Sequence, residues 1–189
     1  MDFEWLTLPK AFRQDGDTLT VTAGKHTNLF NSASGSFKCS DFPFYYAQVS
    51  GDFLLRCKIT PDFKNLYDLG SLVVYQDENT WLKFAFENAD SGQPSMVSVV
   101  TRNYSDDCNG TPILTAGVWM QIVRGDNVFA LHYSFDKVNW ILSRIFNLNI
   151  SSEVKIGISA QSPTGEHCTV QFEGLEILKN PYSDLRELK

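Results

Sequence analysis

The feature that most constrains the fold of this 189-residue chain is the regular recurrence of short segments with strand character. Turn-forming residues separate these segments, and no long segment repeats apolar residues at the 3.6-residue period of a helix. The predicted strands are residues 19–22, 45–50, 53–60, 70–76, 81–87, 96–102, 119–124, 128–135, 140–146, 154–160 and 168–178. Turns at this spacing predict an antiparallel β-sandwich or barrel. Only residues 182–188, which Asn180-Pro181 separates from the strands, could hold a short helix.

Alternation within the predicted strands indicates that most of them have one dry face. Apolar or small side chains occupy every second position of three segments: Phe53, Leu55, Cys57 and Ile59; Phe129, Leu131, Tyr133 and Phe135; Val154, Ile156, Ile158 and Ala160. Residues two apart in a strand point to the same side of the sheet. Two packed sheets with polar outer faces account for this pattern.

Residues 81–87 form the clearest alternating segment and provide the first candidate site. Leu82, Phe84 and Phe86 fall on one face, which is core; Trp81, Lys83, Ala85 and Glu87 fall on the other. On an open face, Trp81 could stack on a sugar ring while Lys83 and Glu87 bond its hydroxyl groups. The neighbouring strand presents either Ser71, Val73 and Tyr75 or Leu72, Val74 and Gln76, depending on register. The alternative is a solvated outer face with a weak Lys–Glu pair.

A second group of candidate residues lies at the ends of the same predicted strands. Its members are Asp68, Thr101, Arg102, Ser105 and Asp106. If they meet at one rim of the face, an arginine beside carboxylates could clamp a pair of hydroxyl groups or an acid sugar. The alternative is that Asp68 and Asp106 bond backbone amides in turns.

Signals for catalysis, cofactors and metals are weak in this sequence. Glycoside hydrolysis requires two carboxylates held about 5–9.5 Å apart, whereas the candidate strand contains Glu87 alone. The chain has neither a nucleophile elbow nor a phosphate-binding loop, so we predict no catalytic residue and no cofactor. The three histidines, His26, His132 and His167, have no metal-ligand spacing, so no metal site is predicted. The sequence leaves open whether carboxylate and carbonyl oxygens of the loops hold a structural calcium ion.

Charge and cysteine usage restrict the class of partner. The net charge of −6 and the absence of basic runs argue against a nucleic-acid partner and against a membrane partner. Neither a signal peptide nor a membrane-spanning apolar run is recognisable, so a cytoplasmic location is expected. The four cysteines are then expected to be free thiols. Cys57 and Cys168 are in phase with apolar neighbours and are predicted to be buried.

An ordered series of short motifs resembles a known family. The motifs are Thr27-Asn28-Leu29-Phe30, Gly51-Asp52-Phe53, Tyr67-Asp68-x-Gly70, Trp81-Leu82-Lys83 with Glu87, residues 98–102 with Ser105-Asp106, Ser134-x-Asp136-x-x-Trp140, and Ser162-Pro163. Together they resemble the regulation-of-enolase family, a largely uncharacterised group of domains, over nearly the whole chain. The sequence departs from that family's pattern at Asn28, in place of an aspartate, and at Asp107, in place of an aromatic residue.

The resemblance implies a fold of the concanavalin A-like lectin/glucanase superfamily, which is also appended to β-xylosidases. We therefore expect an all-β jelly-roll sandwich of two curved antiparallel sheets, with any ligand on the concave sheet. Residues 1–189 are predicted to form a single domain with its core at 5–178 and a C-terminal tail at 179–189. The expected function is a non-catalytic carbohydrate- or polyol-binding module linked to sugar metabolism. A regulatory protein-interaction factor with an unknown protein partner is the alternative, and a glycoside hydrolase-like enzyme comes third.

Overall fold

The computed structural model describes residues 2–189, which form sixteen β-strands and no α-helix. The strands are β1 Glu4–Trp5, β2 Ala11–Asp15, β3 Thr18–Gly24, β4 Asn28–Asn31, β5 Lys38–Asp41, β6 Tyr45–Ser50, β7 Phe53–Asp62, β8 Leu69–Asp77, β9 Thr80–Asn88, β10 Pro94–Arg102, β11 Tyr104–Pro112, β12 Val118–Gly125, β13 Val128–Ser134, β14 Ile141–Asn147, β15 Glu153–Gln161 and β16 His167–Lys179. Every segment predicted as a strand is confirmed, with ends shifted by two residues at most. Strands β1, β2, β4, β5 and β11 were not predicted.

The strands form two seven-stranded antiparallel sheets and one two-stranded pair. The first sheet has the order β1-β6-β15-β8-β9-β10-β11, and the second has the order β14-β13-β12-β7-β16-β3-β2. Strands β4 and β5 pair only with each other and form a hairpin. The predicted all-β sandwich of antiparallel sheets is therefore confirmed.

The main core fills the space between the two sheets. Leu82, Phe84 and Phe86 of β9 are fully buried there, as the alternation predicted. Gly70 of β8 lies where the sheets approach closely, because a Cβ at this position would come within 2.5 Å of Ile59 Cγ2 and 2.6 Å of Val170 Cγ1. Glycine is required at this position because any larger residue would force the sheets apart.

A smaller second core lies on the side of the first sheet that faces away from the second sheet. Its buried members are Leu29, Phe42, Phe44, Tyr46, Leu69, Val73, Trp81, Ala85, Ala89, Val97 and Val99. Leu29 belongs to β4, and the rings of Phe42 and Phe44 stack 5.5 Å apart just after β5. The β4–β5 hairpin and the segment after it therefore cover part of a face that the sequence predicted to be open.

The chain ends in turns, so the short helix that the sequence allowed at 182–188 does not form. The Asp184 carboxylate accepts hydrogen bonds from the backbone N–H groups of Arg186 and Glu187, at 2.8 and 3.2 Å. These are the bonds of a helix N-cap, but only a single turn at residues 185–188 follows, and the φ of +57° at Leu188 is incompatible with a continued helix. All four cysteines are free thiols, and Cys57 and Cys168 are buried as predicted. Within residues 2–189 there is no helix with the length and apolarity that crossing a membrane requires.

Candidate functional site

A cavity of about 270 Å³ lies between the outer face of the first sheet and strand β4. It is lined by Asn28, Phe30, Tyr67, Leu69, Lys83, Glu87, Asp90, Val97, Val99, Asp107, Asn109 and Pro163. The floor, made by β8, β9 and β10, is buried, whereas Asp90, Asp107 and Asn109 at the rim are exposed. A buried floor with an exposed polar rim is the form of a pocket for a small molecule.

Strand register explains which side chains reach the cavity. Lys83 of β9 lies opposite Val73 of β8 and Val99 of β10, and Val99 lies opposite Asp107 of β11. Residues with odd numbers on these four strands therefore share the outer face. Of the two sets left open on β8, Ser71, Val73 and Tyr75 flank Lys83.

Lys83 is buried beneath the β4–β5 hairpin rather than open to solvent. Its ammonium group donates to the Leu29 carbonyl oxygen at 3.0 Å and to Gln161 Oε1 at 3.3 Å. Gln161 Oε1 also accepts a hydrogen bond from the Leu29 N–H at 3.0 Å. Burial lowers the pKa of Lys83, and the nearby Glu87 partly offsets this effect. The side chain therefore anchors the hairpin to the sheet, in addition to lining the cavity.

Glu87 is a second buried titratable group of the cavity. It is 8% exposed, and its carboxyl group has no hydrogen-bond partner among residues 2–189. Burial raises its pKa to about 7, with Lys83 opposing the rise and Asp90 and Asp107 adding to it. A carboxyl group that faces a cavity without a protein partner has hydrogen-bonding capacity left for a ligand.

A chain of hydrogen bonds fixes the rim of the cavity. The Tyr67 hydroxyl donates to Asp90 Oδ1 at 2.6 Å, and Asn109 Nδ2 donates to Asp90 Oδ2 at 2.7 Å. The two bonds lower the pKa of Asp90, and the bond to Asp90 raises the pKa of Tyr67. Tyr67 has a φ of +66°, which is uncommon for a bulky residue. These two hydrogen bonds therefore hold side chains from three separate segments together at the rim of the cavity.

Asp68 holds the loop that presents Tyr67. One of its carboxylate oxygens accepts from the backbone N–H groups of Lys64 and Asn65, at 3.0 and 2.8 Å. The other accepts from the Ser162 hydroxyl at 2.7 Å. Asp68 is fully buried and does not line the cavity. The alternative proposed from the sequence, bonding to turn amides, therefore describes this residue.

Trp81 and Tyr75, which were candidate ligand-binding residues, also do not line the cavity. Trp81 shares the outer face with Lys83, but it is fully buried in the second core and does not line the cavity. Tyr75 packs against Phe42 and Phe44, with ring centroids 5.7 and 6.1 Å apart. The expectation of an open face with a solvent-exposed tryptophan is therefore wrong, because the hairpin and the segment after it cover that part of the sheet.

The remaining predicted residues do not form a rim around the cavity. Thr101 and Ser105 share the outer face, but both are buried. Their hydroxyl oxygens lie 2.9 Å apart, and the Ser105 hydroxyl oxygen also accepts a hydrogen bond from the Asn31 N–H. Arg102 and Asp106 lie on the opposite face of their strands. There Arg102 donates to the Asn147 carbonyl oxygen, and Asp106 pairs with Arg144 of the second sheet at 3.1 Å. Those two side chains therefore connect the sheets.

Sequence reasoning did not select several residues that line the cavity: Asn28, Phe30, Tyr67, Asp90, Asp107, Asn109 and Pro163. Asn28, Phe30, Tyr67 and Pro163 do lie in motifs of the family resemblance, which was the available signal. Asn28 and Asp107, where the chain departs from the family pattern, both line the cavity. Among residues 2–189 no group of three His, Cys, Asp or Glu side chains is placed to hold a metal ion.

Comparison with known proteins places the chain among sandwich folds. Residues 5–180 match the family described as a protein of unknown function, DUF1349. Regulation of enolase protein 1 of Saccharomyces cerevisiae is 24% identical over 180 residues, covering 95% of this chain and 87% of that protein. A crystal structure of a functionally unknown protein from Saccharomyces cerevisiae superposes with a TM-score of 0.88 at 23% identity, covering 94% of this chain and 96% of that one.

A glycoside hydrolase provides a more distant structural match. The structure described as Bacteroides ovatus Xyloglucan PUL GH43B superposes with a TM-score of 0.67 at 16% identity. The match covers 86% of this chain but 32% of that one, so it concerns one part of a larger protein. At this identity the similarity shows a shared sandwich fold.

Proposed function

We propose a function for this chain from the geometry of its cavity. The chain belongs to the DUF1349 family, and because that family is described as a protein of unknown function, the family description supplies no function. The proposed function is the non-catalytic binding of one small polyhydroxy molecule, such as a monosaccharide. The ligand lies on the outer face of the first sheet, between strands β8 to β11 and strand β4. The observation that carries the proposal is the buried Glu87 carboxyl group, which faces this cavity without a protein partner.

The mixture of groups around the cavity suits hydroxyl groups, which both donate and accept hydrogen bonds. Glu87 and Asp107 supply acceptors, and the amide side chains of Asn28 and Asn109 supply donors and acceptors. Leu69, Val97 and Val99 supply apolar surface for the C–H faces of a ring. This combination of apolar surface and a few placed polar groups is typical of small-ligand sites.

The size of the cavity limits the ligand. Ligand pockets usually enclose roughly 300–1,000 Å³, and this one encloses about 270 Å³. We therefore propose a single ring or a short polyol rather than an oligosaccharide. The yeast relative is named for the regulation of enolase, and a link of this chain to sugar metabolism is part of the proposal.

Saturation-transfer NMR with a panel of neutral monosaccharides and linear polyols tests the proposal. The wild type should give transfer to at least one of these compounds, and Val97→Phe should abolish it by filling the buried floor. Glu153→Gln, which changes an exposed glutamate on β15, is the matched control and should bind like the wild type. Failure of the whole panel to bind the folded wild type would contradict the proposal.

A further inference from the structure

The cavity has an excess of carboxyl groups over cations. Three carboxyl side chains, Glu87, Asp90 and Asp107, line it, and Lys83 is the one cation among the lining residues that the structure describes. Two of the three N–H donors of Lys83 already bond Leu29 and Gln161. The site therefore attracts positive charge and offers little to an anion.

In their ionised form, these carboxyl groups have unfilled hydrogen-bonding capacity only for donors. Each oxygen of Asp90 already accepts one hydrogen bond, from the Tyr67 hydroxyl and from the Asn109 amide. Neither Glu87 nor Asp107 accepts a side-chain hydrogen bond or forms a salt bridge within residues 2–189. A ligand fills this capacity only if it presents N–H or O–H groups.

The arginines that could have received an acid group are directed elsewhere. Arg102 donates to the Asn147 carbonyl oxygen, and Arg144 pairs with Asp106 at 3.1 Å. Both contacts lie on the side of the first sheet that faces the second sheet, away from the cavity. A ligand carboxylate or phosphate would therefore lie beside the buried Glu87 and the exposed Asp90 and Asp107, with no arginine to pair with it.

We propose that the cavity selects a small polyol with an amine, such as a 2-amino sugar, whose ammonium group bonds the Glu87 carboxylate. Neutral sugars bind more weakly, and uronic acids and sugar phosphates are rejected. This selectivity rests on the proposed function, because it concerns the same cavity. It adds a preference for a positively charged ligand and names Glu87 as the residue that determines this preference.

Proton release is an independent consequence of this selectivity. Because the pKa of Glu87 is raised to about 7 in the empty cavity, part of the carboxyl population is protonated at neutral pH. An ammonium group that bonds the carboxylate must displace that proton. The other titratable groups that line the cavity with Glu87 are Tyr67, Lys83, Asp90 and Asp107. Burial lowers the pKa of Lys83, and the hydrogen bonds from Tyr67 and Asn109 lower the pKa of Asp90.

The test is calorimetric titration at pH 7 with matched ligands of the gluco, galacto and manno series: the neutral sugar, the 2-amino sugar and the uronic acid. In at least one series the amino sugar should bind about tenfold or more tightly than the neutral sugar, as a bond to a charged group implies. The uronic acid should show no binding. Titration in two buffers of different ionisation enthalpy should reveal proton release with the amino sugar alone.

Glu87→Gln supplies the decisive variant, with Glu153→Gln as its control. Glu87→Gln should remove both the amine preference and the proton release while still binding the neutral sugar. Uronic acids that bind as tightly as the amino sugars would overturn the charge selectivity alone, and so would an amine preference that persists in Glu87→Gln. If no sugar of any series binds the folded wild type, the proposed function itself fails.

Discussion

Lys83 and Glu87 lie on one face of β9, four residues apart, and no salt bridge joins them. The Lys83 ammonium group is turned to the Leu29 carbonyl oxygen of the covering hairpin, at 3.0 Å. The Glu87 carboxyl group is left to face the cavity. The two buried charges thus have separate tasks, one in holding the cover and one in facing the ligand space.

Replacement of Glu87 should stabilise the protein at alkaline pH. Burial raises the pKa of Glu87 from 4.5 to about 7, so the folded state binds this proton more tightly than the unfolded state. The resulting stability is present below pH 4.5 and is lost as pH rises through 7. Glu87→Gln should therefore raise the free energy of unfolding at pH 8 by roughly 2–3 kcal/mol, with little change at pH 4.5. Urea unfolding at the two pH values measures this, and a gain that is equal at both would contradict it.

Replacement of Lys83 should affect both the cover and Glu87. Lys83→Met removes the positive charge that lowers the pKa of Glu87, so that pKa should rise further above its ordinary value. It also leaves the Leu29 carbonyl oxygen without its donor, so amide hydrogen exchange in β4 and β5 should accelerate. Carboxyl ¹³C titration and exchange NMR follow the two effects. Lys58→Met on the second sheet is the control and should leave both quantities unchanged.

The predicted strands and those that were not predicted differ in how regularly apolar and polar side chains alternate. The confirmed strands mostly alternate apolar and polar side chains, so their pattern alone reveals them. Strand β11, from Tyr104 to Pro112, is a largely exposed edge strand of polar residues. Strands β4 and β5 are four residues each. These three give no periodic signal, and two of them, β4 and β11, contribute walls of the cavity.

The candidate site could be predicted only in part, because alternation shows which side chains share a face of a strand and not what covers that face. Alternation placed Lys83 and Glu87 on one face correctly, but it could not show that a hairpin about 50 residues earlier in the chain covers this face. Arg102 and Asp106 have the opposite parity to Thr101 and Ser105, which a stricter use of the two-residue period would have shown. The Tyr67–Asp90–Asn109 contacts join three segments and depend on tertiary structure.

His132 should make the protein sensitive to acid. The side chain is 1% exposed, and burial lowers its pKa from 6.5 to about 4. The folded state therefore binds this proton less tightly than the unfolded state, and stability falls as pH decreases from 6.5 to 4. The loss should approach roughly 2–3 kcal/mol, and His132→Leu should remove most of it. The exposed His26→Gln is the control, and an unchanged acid profile in His132→Leu would contradict the account.

The four thiols should react in a fixed order. Cys108 is exposed and Cys39 is half-buried, whereas Cys57 and Cys168 are buried. Burial also raises the pKa of both buried thiols, which further slows their reaction. A colour-forming disulfide reagent should therefore titrate Cys108 first and Cys39 more slowly in the native protein. The other two should react only after denaturation, and four rapid native thiols would show that the sheets do not pack as described.

The most direct measurement of the central claim is a map of ligand-induced shifts in the ¹H–¹⁵N spectrum of the assigned protein, titrated with the amino sugar. The account predicts saturable shifts confined to the backbone amides of Tyr67, Glu87 and Asp90 with their neighbours, and to the side-chain amides of Asn28 and Asn109. The same shifts should be absent in Val97→Phe. Saturable shifts located on the outer face of the second sheet, or shifts that survive in Val97→Phe, would show that this cavity is not the binding site.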